Sequence, residues 1–169
     1  MRDENGPADG TADAGVDIGP VEDVDHNDLF AAFARIVDDR EGFPQEPPLT
    51  RADFDEYWLA HSTSVVRARV AGELAGAYYL KPNFVGRAAH IANAGYFVAA
   101  PFRGRRLGWR LVVHSLEEAR RVGFDALQFN LVFESNPARR LYEALGFRAV
   151  GRVPRAVEGE DALIYWRAL

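Results

Sequence analysis

Apolar side chains recur along the chain with two different spacings, and each change of spacing marks an element. Residues 1–15 carry almost no large apolar side chain. Polar and acidic, they cannot offset the entropy of becoming ordered and are expected to form a disordered tail before one folded domain over residues 16–169. A short strand begins at Val16. From Asn27 to Asp39, Leu29, Phe30, Phe33, Ile36 and Val37 fall at helical spacing, which predicts a helix that Gly42, Pro44, Pro47 and Pro48 terminate. Thr50 is placed to N-cap a second short helix with Phe54, Tyr57, Trp58 and Leu59 on one face.

Strand-like runs then take over. Ser64–Val70 and Leu74–Leu80 predict an antiparallel hairpin closed by Ala71, Gly72 and Glu73, and a third strand is expected at about Ala88–Val98. Leu107, Leu111, Ser115, Ala119 and Val122 stripe the longest helix, Gly104 to Arg121, with Gly123 as its C′ residue. Alternation in the strand Ala126–Phe133 sets Leu127, Phe129, Leu131 and Phe133 on one face against Gln128, Asn130 and Val132 on the other. A short helix follows. Asn136 is its N-cap, Pro137 its first residue, Ala138, Leu141, Tyr142 and Leu145 its apolar face, and Gly146 lies past its end. Phe147–Val153 and Ala162–Arg167 close the chain as strands. The order predicts a mixed α+β domain with six or seven strands in a mostly antiparallel sheet, four helices, and one βαβ crossover around the long helix.

Composition narrows the functions available. Of 169 residues, 48% are hydrophobic and 12% aromatic, enough for the core of one domain. No run approaches the roughly 18 apolar residues of a membrane span, and the N-terminus lacks an apolar signal core, so a cytoplasmic protein without a membrane partner is expected. The absence of cysteine removes disulfides, thiol nucleophiles and thiolate metal ligands. With His26, His61, His90 and His114 scattered as well, no metal is expected. A net charge of −5 provides no field to gather phosphate backbones, and a nucleic-acid partner is not expected. Lys81 is the single lysine, every other basic residue being arginine.

Positive charge concentrates at one place. Between Phe97 and Gly108 a strand passes through a glycine- and arginine-containing turn into the long helix, and Arg103, Arg105, Arg106 and Arg110 gather there. Free amides at a helix N-terminus and the positive end of its dipole form an anion cradle suited to a diphosphate.

This turn, together with the segment Leu141-Tyr142-Glu143-Ala144-Leu145-Gly146-Phe147, resembles the two signature segments of the GNAT acetyltransferases. The first is similar to their Arg/Gln-x-x-Gly-x-Gly/Ala loop at Arg103 and Gly108, and the second to their Asn-x-x-Ala-x-x-Leu-Tyr-x-x-x-Gly-Phe helix at Ala138, Leu141, Tyr142, Gly146 and Phe147. There are two departures. Arg106 stands where the loop has its first glycine, and the asparagine slot falls on Ser135 with Asn136 one residue later, so that loop is one residue short. Further segments, among them Tyr79-Leu80-Lys81-Pro82-Asn83, Asn93-Ala94-Gly95 and Phe129-Asn130-Leu131-Val132-Phe133, are similar to the GNAT branch that acetylates azetidine-2-carboxylate and related imino acids.

The resemblance implies a GNAT-like sheet with splayed central strands and acetyl-CoA as cosubstrate, held at Phe97, Val98, Arg103, Gly104, Arg105, Arg106, Leu107, Gly108, Trp109 and Asn136. It implies a small amino or imino acid acceptor with its carboxylate on Asn93, Asn130 and the Leu131 amide, and a catalytic role for Asn136 and for Tyr142, whose hydroxyl would protonate the departing thiolate. The amine would attack the thioester directly in a ternary complex, with a Phe97 or Val98 amide on the thioester oxygen and the pantetheine arm between strand ends near Val98 and Phe133. Spacing alone also fits Tyr142 in the core, and Asn93 and Asn130 bonding neighbouring loops. No general base stands out: His90, Glu134 or a water chain are the candidates. An acyl-CoA-binding sensor without turnover, an acetyltransferase of peptide or protein amines, and an interaction module using the basic turn remain open. A homodimer is common in folds of this kind and is not fixed by the sequence.

Overall fold

In the computed structural model residues 15–169 are described, so the expected tail lies outside the described residues apart from Gly15. The strand-like runs become β1 (Val16–Pro20), β2 (Ser64–Val70), β3 (Glu73–Pro82), β4 (Ile91–Val98), β5 (Ala126–Phe133), β6 (Arg148–Val157) and β7 (Glu160–Ala168). They join in one sheet of order β1-β2-β3-β4-β5-β7-β6, antiparallel throughout except for the β4–β5 pair. The helices are α1 (His26–Asp38), α2 (Arg51–Phe54) continuing through a π-helical turn at Asp55–Leu59, α3 (Leu107–Arg121) and α4 (Arg139–Ala144). This is the mixed α+β architecture the spacing predicts. Thr50 caps α2 as expected, its Oγ1 accepting the Asp53 amide at 3.1 Å. Among the described residues no helix is long and apolar enough to cross a membrane.

Two apolar layers sandwich the sheet. On one side Leu29, Phe33 and Val37 of α1 meet Phe54 and Trp58 over Ala77, Tyr79 and Phe97. On the other, Leu107, Leu111, Val112, Leu116 and Ala119 of α3, with Tyr142 of α4, cover Tyr78, Leu80, Ala92 and Ala94. Strand β3 is covered on both faces, which is why Ala75–Leu80 reads as an unbroken small-and-apolar run that is buried throughout, and Gly76 has no room for a side chain: a β-carbon there would come within 2.6 Å of the Phe97 carbonyl.

The parallel pair decides where a ligand can enter. β4 and β5 are in register only from Ile91–Ala126 to Asn93–Gln128, and beyond that the two strands part. Asn93 sits at the fork, its Nδ2 donating to the Gln128 carbonyl at 3.0 Å.

Four local expectations are corrected by the structure. β4 starts at Ile91 rather than Ala88, because Gly86–Ala88 forms a 3-10 turn. The alternation along β5 fails after Phe129: the register passes from Phe129↔Tyr165 to Val132↔Leu163, a β-bulge that leaves Asn130 and Leu131 out of the ladder and exposed while Val132 returns to the core. α3 begins at Leu107, not Gly104, since its N-cap Arg106 holds the left-handed conformation at φ 59°. α4 begins at Arg139, and Asn136 precedes it in a turn where its Oδ1 accepts the Ala138 amide at 2.9 Å.

Candidate active site

The gap between the parted strands opens into a cleft of about 1050 Å³ that reaches from the start of α3 to the loop between α1 and α2. Of the residues the sequence nominates, Phe97, Val98, Arg103, Gly108, Asn93, Asn130, Leu131, Asn136 and Tyr142 line it. Gly104, Arg105, Arg106, Leu107 and Trp109 do not: Leu107 turns its side chain into the core, and Trp109 lies at the protein surface. The turn contributes its backbone instead. Its first intrahelical bond runs from the Arg110 amide to the Arg106 carbonyl, so the amides of the first turn, Leu107 to Trp109, have no partner within the helix. A β-carbon on Gly108 would make ordinary contact with the Leu141 and Val98 side chains at 3.8 Å, so a small side chain is tolerated there.

Arg106 takes the conformation that a glycine at its position would adopt freely. The left-handed region costs a side-chain-bearing residue about 1–2 kcal/mol, and Arg106 holds it at the helix start with φ 59°. Arg103 is held by three hydrogen bonds to two groups, Nε donating to the Val98 carbonyl at 3.1 Å and the guanidinium to both oxygens of Glu41.

Strand parity identifies the amide that faces the cleft. The Ala99 amide donates to the Ala75 carbonyl at 2.9 Å, so peptide groups at 99 and 97 point toward β3, whereas those at 98 and 96 point into the gap that β5 has vacated. Val98, rather than Phe97, therefore offers its N–H to a ligand. Across the gap Tyr142 packs its ring on Phe129 at 4.7 Å and on Phe147 at 5.9 Å, and its hydroxyl has no hydrogen-bond partner among the described residues. Burial pushes that phenol well above its ordinary range, which keeps it protonated at neutral pH. Tyr142 is thus both a buried core ring and part of the cleft lining.

The other end of the cleft is a polar amide cluster. Asn130 Nδ2 donates to Asn83 Oδ1 at 2.6 Å, Asn83 Nδ2 returns a bond to Asn130 Oδ1 at 3.2 Å, and Gln128 adds a third at 3.0 Å. The Tyr79 hydroxyl lies 3.0 Å from that of Tyr57 and 3.3 Å from Asn93 Oδ1. Gly95 makes this possible, because a β-carbon there would come within 2.6 Å of the Tyr79 ring. Tyr57, Tyr79 and Asn83 were not singled out by spacing. Tyr57 and Tyr79 are aromatic residues within apolar runs, and only the folded register reveals that their hydroxyls meet.

The base candidates His90 and Glu134 do not line the cleft. His90 Nδ1 lies 3.0 Å from the Arg87 carbonyl, and Glu134 pairs with Arg152 at 2.6 Å. The carboxylates that do line it are engaged: Glu41 with Arg103, Glu46 and Glu158 with Arg40, and Glu160 with the Ser135 amide.

The Acetyltransferase (GNAT) family model matches residues 31–147, most of the described chain. The protein belongs to the GNAT family. A GCN5-related N-acetyltransferase from Kribbella flavida superposes with a TM-score of 0.85 at 33% identity, over 92% of this chain and 98% of that one. The fission-yeast (Schizosaccharomyces pombe) N-acetyltransferase aca1 is 42% identical over 99 residues, 54% of this chain and 47% of its own length. Protein SPT10 of Saccharomyces cerevisiae is 35% identical over 82 residues, 48% of this chain and 13% of its own. The chain thus matches about half or less of the length of these yeast relatives. The same fold appears in yncA of Salmonella typhimurium, solved with its cofactor acetyl-CoA, at a TM-score of 0.79 and 17% identity over 92% of this chain and 94% of that one. The cleft here carries first-turn amides of α3 without a partner within the helix and, by strand parity, the Val98 amide in the strand gap.

Proposed function

We propose that the protein is an acetyl-CoA-dependent N-acetyltransferase whose acceptor is a small amino or imino acid. The observation that carries this reading is that Val98 and Tyr142 line the same cleft as the amide side chains of Asn83, Asn93 and Asn130. In a ternary complex the neutral amine of the acceptor attacks the thioester carbonyl carbon. A C–N bond forms, the C–S bond breaks, and the sulfur takes the Tyr142 proton, which solvent then replaces. The Val98 N–H polarises the thioester oxygen as negative charge builds on it. Every carboxylate lining the cleft is engaged, so the proton lost by the amine leaves through water. No residue of this chain becomes acylated, and holding the two substrates together supplies most of the acceleration.

At the acceptor end, Asn93, Asn130 and the Leu131 amide are assigned to the carboxylate, and Asn136 to the catalytic turn. The β5 bulge supports this assignment by freeing the Leu131 backbone from β7. Neutral hydrogen bonds of this kind contribute about 0.5–1.5 kcal/mol each, so millimolar acceptor affinity is expected. The test is Asn130→Ala against matched acceptors. Its KM should rise about tenfold for a carboxylate-bearing amine and stay within twofold for the decarboxylated counterpart. Equal loss on both, or acetylation of polyamines and peptides alone, contradicts the acceptor assignment.

A further inference from the structure

We propose that Lys81 is the cationic anchor of the acceptor's carboxylate, the specificity-determining residue of the cleft. This rests on the amino or imino acid reading above and deepens it. Lys81, the penultimate residue of β3, lies on the wall of the cleft, directly across the ladder from Asn93. Its Nζ sits 4.4 Å from the centre of the Tyr57 ring and 4.5 Å from that of Tyr79, and donates one hydrogen bond, to the Tyr57 carbonyl at 2.9 Å. An ammonium has three N–H donors, so two remain. Among the described residues no carboxylate pairs with it.

Half-buried ammonium groups without a counter-ion are costly, and the arrangement compensates only in part. Desolvation pulls the Lys81 pKa down, with Glu56 opposing it from a distance. Two ring faces and a carbonyl oxygen offset part of that cost and leave the ammonium short of a counter-charge. A carboxylate arriving in the cleft would supply the missing counter-charge. The cosubstrate's phosphates are poor candidates for that partner: Asn93, opposite Lys81, lies five residues back along β4 from Val98, about 16 Å of strand. The neighbours of Lys81 are instead the acceptor-end side chains, since the Tyr79 ring under its Nζ also carries the hydroxyl beside Asn93. Amides alone can orient a carboxylate, and Lys81 adds the charge that distinguishes it from a neutral group.

The experiment uses the full chain, acetyl-CoA and three matched acceptor pairs: proline and pyrrolidine, azetidine-2-carboxylate and azetidine, alanine and ethylamine. For the carboxylate acceptor turned over best, Lys81→Met should raise KM at least tenfold with kcat within about twofold, leave its decarboxylated partner unchanged or improved, and Lys81→Arg should recover part of the loss. A thermal melt of each variant establishes that it is folded, and Lys81→Gln serves if Lys81→Met is not. If the unaltered protein prefers the carboxylate of each pair and the Lys81 variants keep that preference, the anchor role is wrong and the acceptor reading stands. A kcat loss shared by both members of a pair also overturns the anchor, making Lys81 a base or a structural prop. If the unaltered protein shows no preference for carboxylates, the acceptor reading fails and the anchor fails with it.

Discussion

The two ends of the cleft are built in opposite ways. At the α3 end the ligand-facing groups come from one continuous stretch, Phe97 to Gly108, and are mostly backbone: the Val98 amide turned into the strand gap and the first-turn amides of the helix. At the proposed acceptor end they come from separate segments, Tyr57 after α2, Tyr79, Lys81 and Asn83 on and after β3, Asn93 on β4 and Asn130 in the β5 bulge, and they are side chains. Backbone donors tolerate sequence change, as Arg106 shows by holding a glycine's conformation. Side-chain constellations do not. The first end can therefore serve a cosubstrate common to a family, whereas the second can be rebuilt for each acceptor.

The largest effect expected is at Tyr142, the proposed proton donor. Tyr142→Phe should lower kcat about 100-fold while acetyl-CoA affinity stays within twofold, because the ring packing on Phe129 and Phe147 is kept and only the proton donor is lost. A full-rate Phe variant would reduce Tyr142 to a core residue. Gly108→Asp tests the backbone end alone. A side chain there has room, and an acidic residue in the first turn favours the helix, so the melting temperature should hold while calorimetry shows acetyl-CoA affinity at least tenfold weaker, about 1.4 kcal/mol. Unchanged affinity would remove the α3 start from the site. The smallest effect is on stability at Arg106. Arg106→Gly relieves the left-handed strain but loosens the unfolded chain, so it should match or exceed the native stability by up to about 1 kcal/mol, whereas Arg106→Val should lose about 1 kcal/mol. Equal destabilisation by both in chemical denaturation would mean that backbone strain does not govern this position.

The same contrast governs what could be read from the chain. Periodicity located all seven strands and the helices because most of them bury one face or both against a layer, and the apolar stripe of α3 appears buried at Leu107, Leu111, Ser115 and Ala119 as its spacing requires. Boundaries failed where a single backbone conformation intervened: the left-handed Arg106 before α3, the Asn136 turn before α4, the 3-10 turn before β4. The β5 bulge is the informative miss. Strict alternation placed Leu131 in the core beside Phe129, and no local pattern signals that β7 offers one residue opposite two, so the exposure of Asn130 and Leu131 emerges only from the pairing. At the acceptor end, the meeting of Tyr57, Tyr79 and Lys81 depends on the π-helical turn after α2 and on the missing side chain of Gly95, neither of which has a periodicity of its own. One compositional signal was present: a chain with 20 basic residues keeps lysine at a single position, and that position faces the cleft.

The most direct test of the account is the initial rate of acetyl-CoA-dependent N-acetylation, measured by CoA release and by mass of the product with both substrates varied. Direct transfer in one cleft predicts intersecting double-reciprocal lines and an N-acetylated amino or imino acid as the preferred product. Parallel lines, which signal an acylated enzyme, or acetyl-CoA binding without turnover of any amine would contradict it.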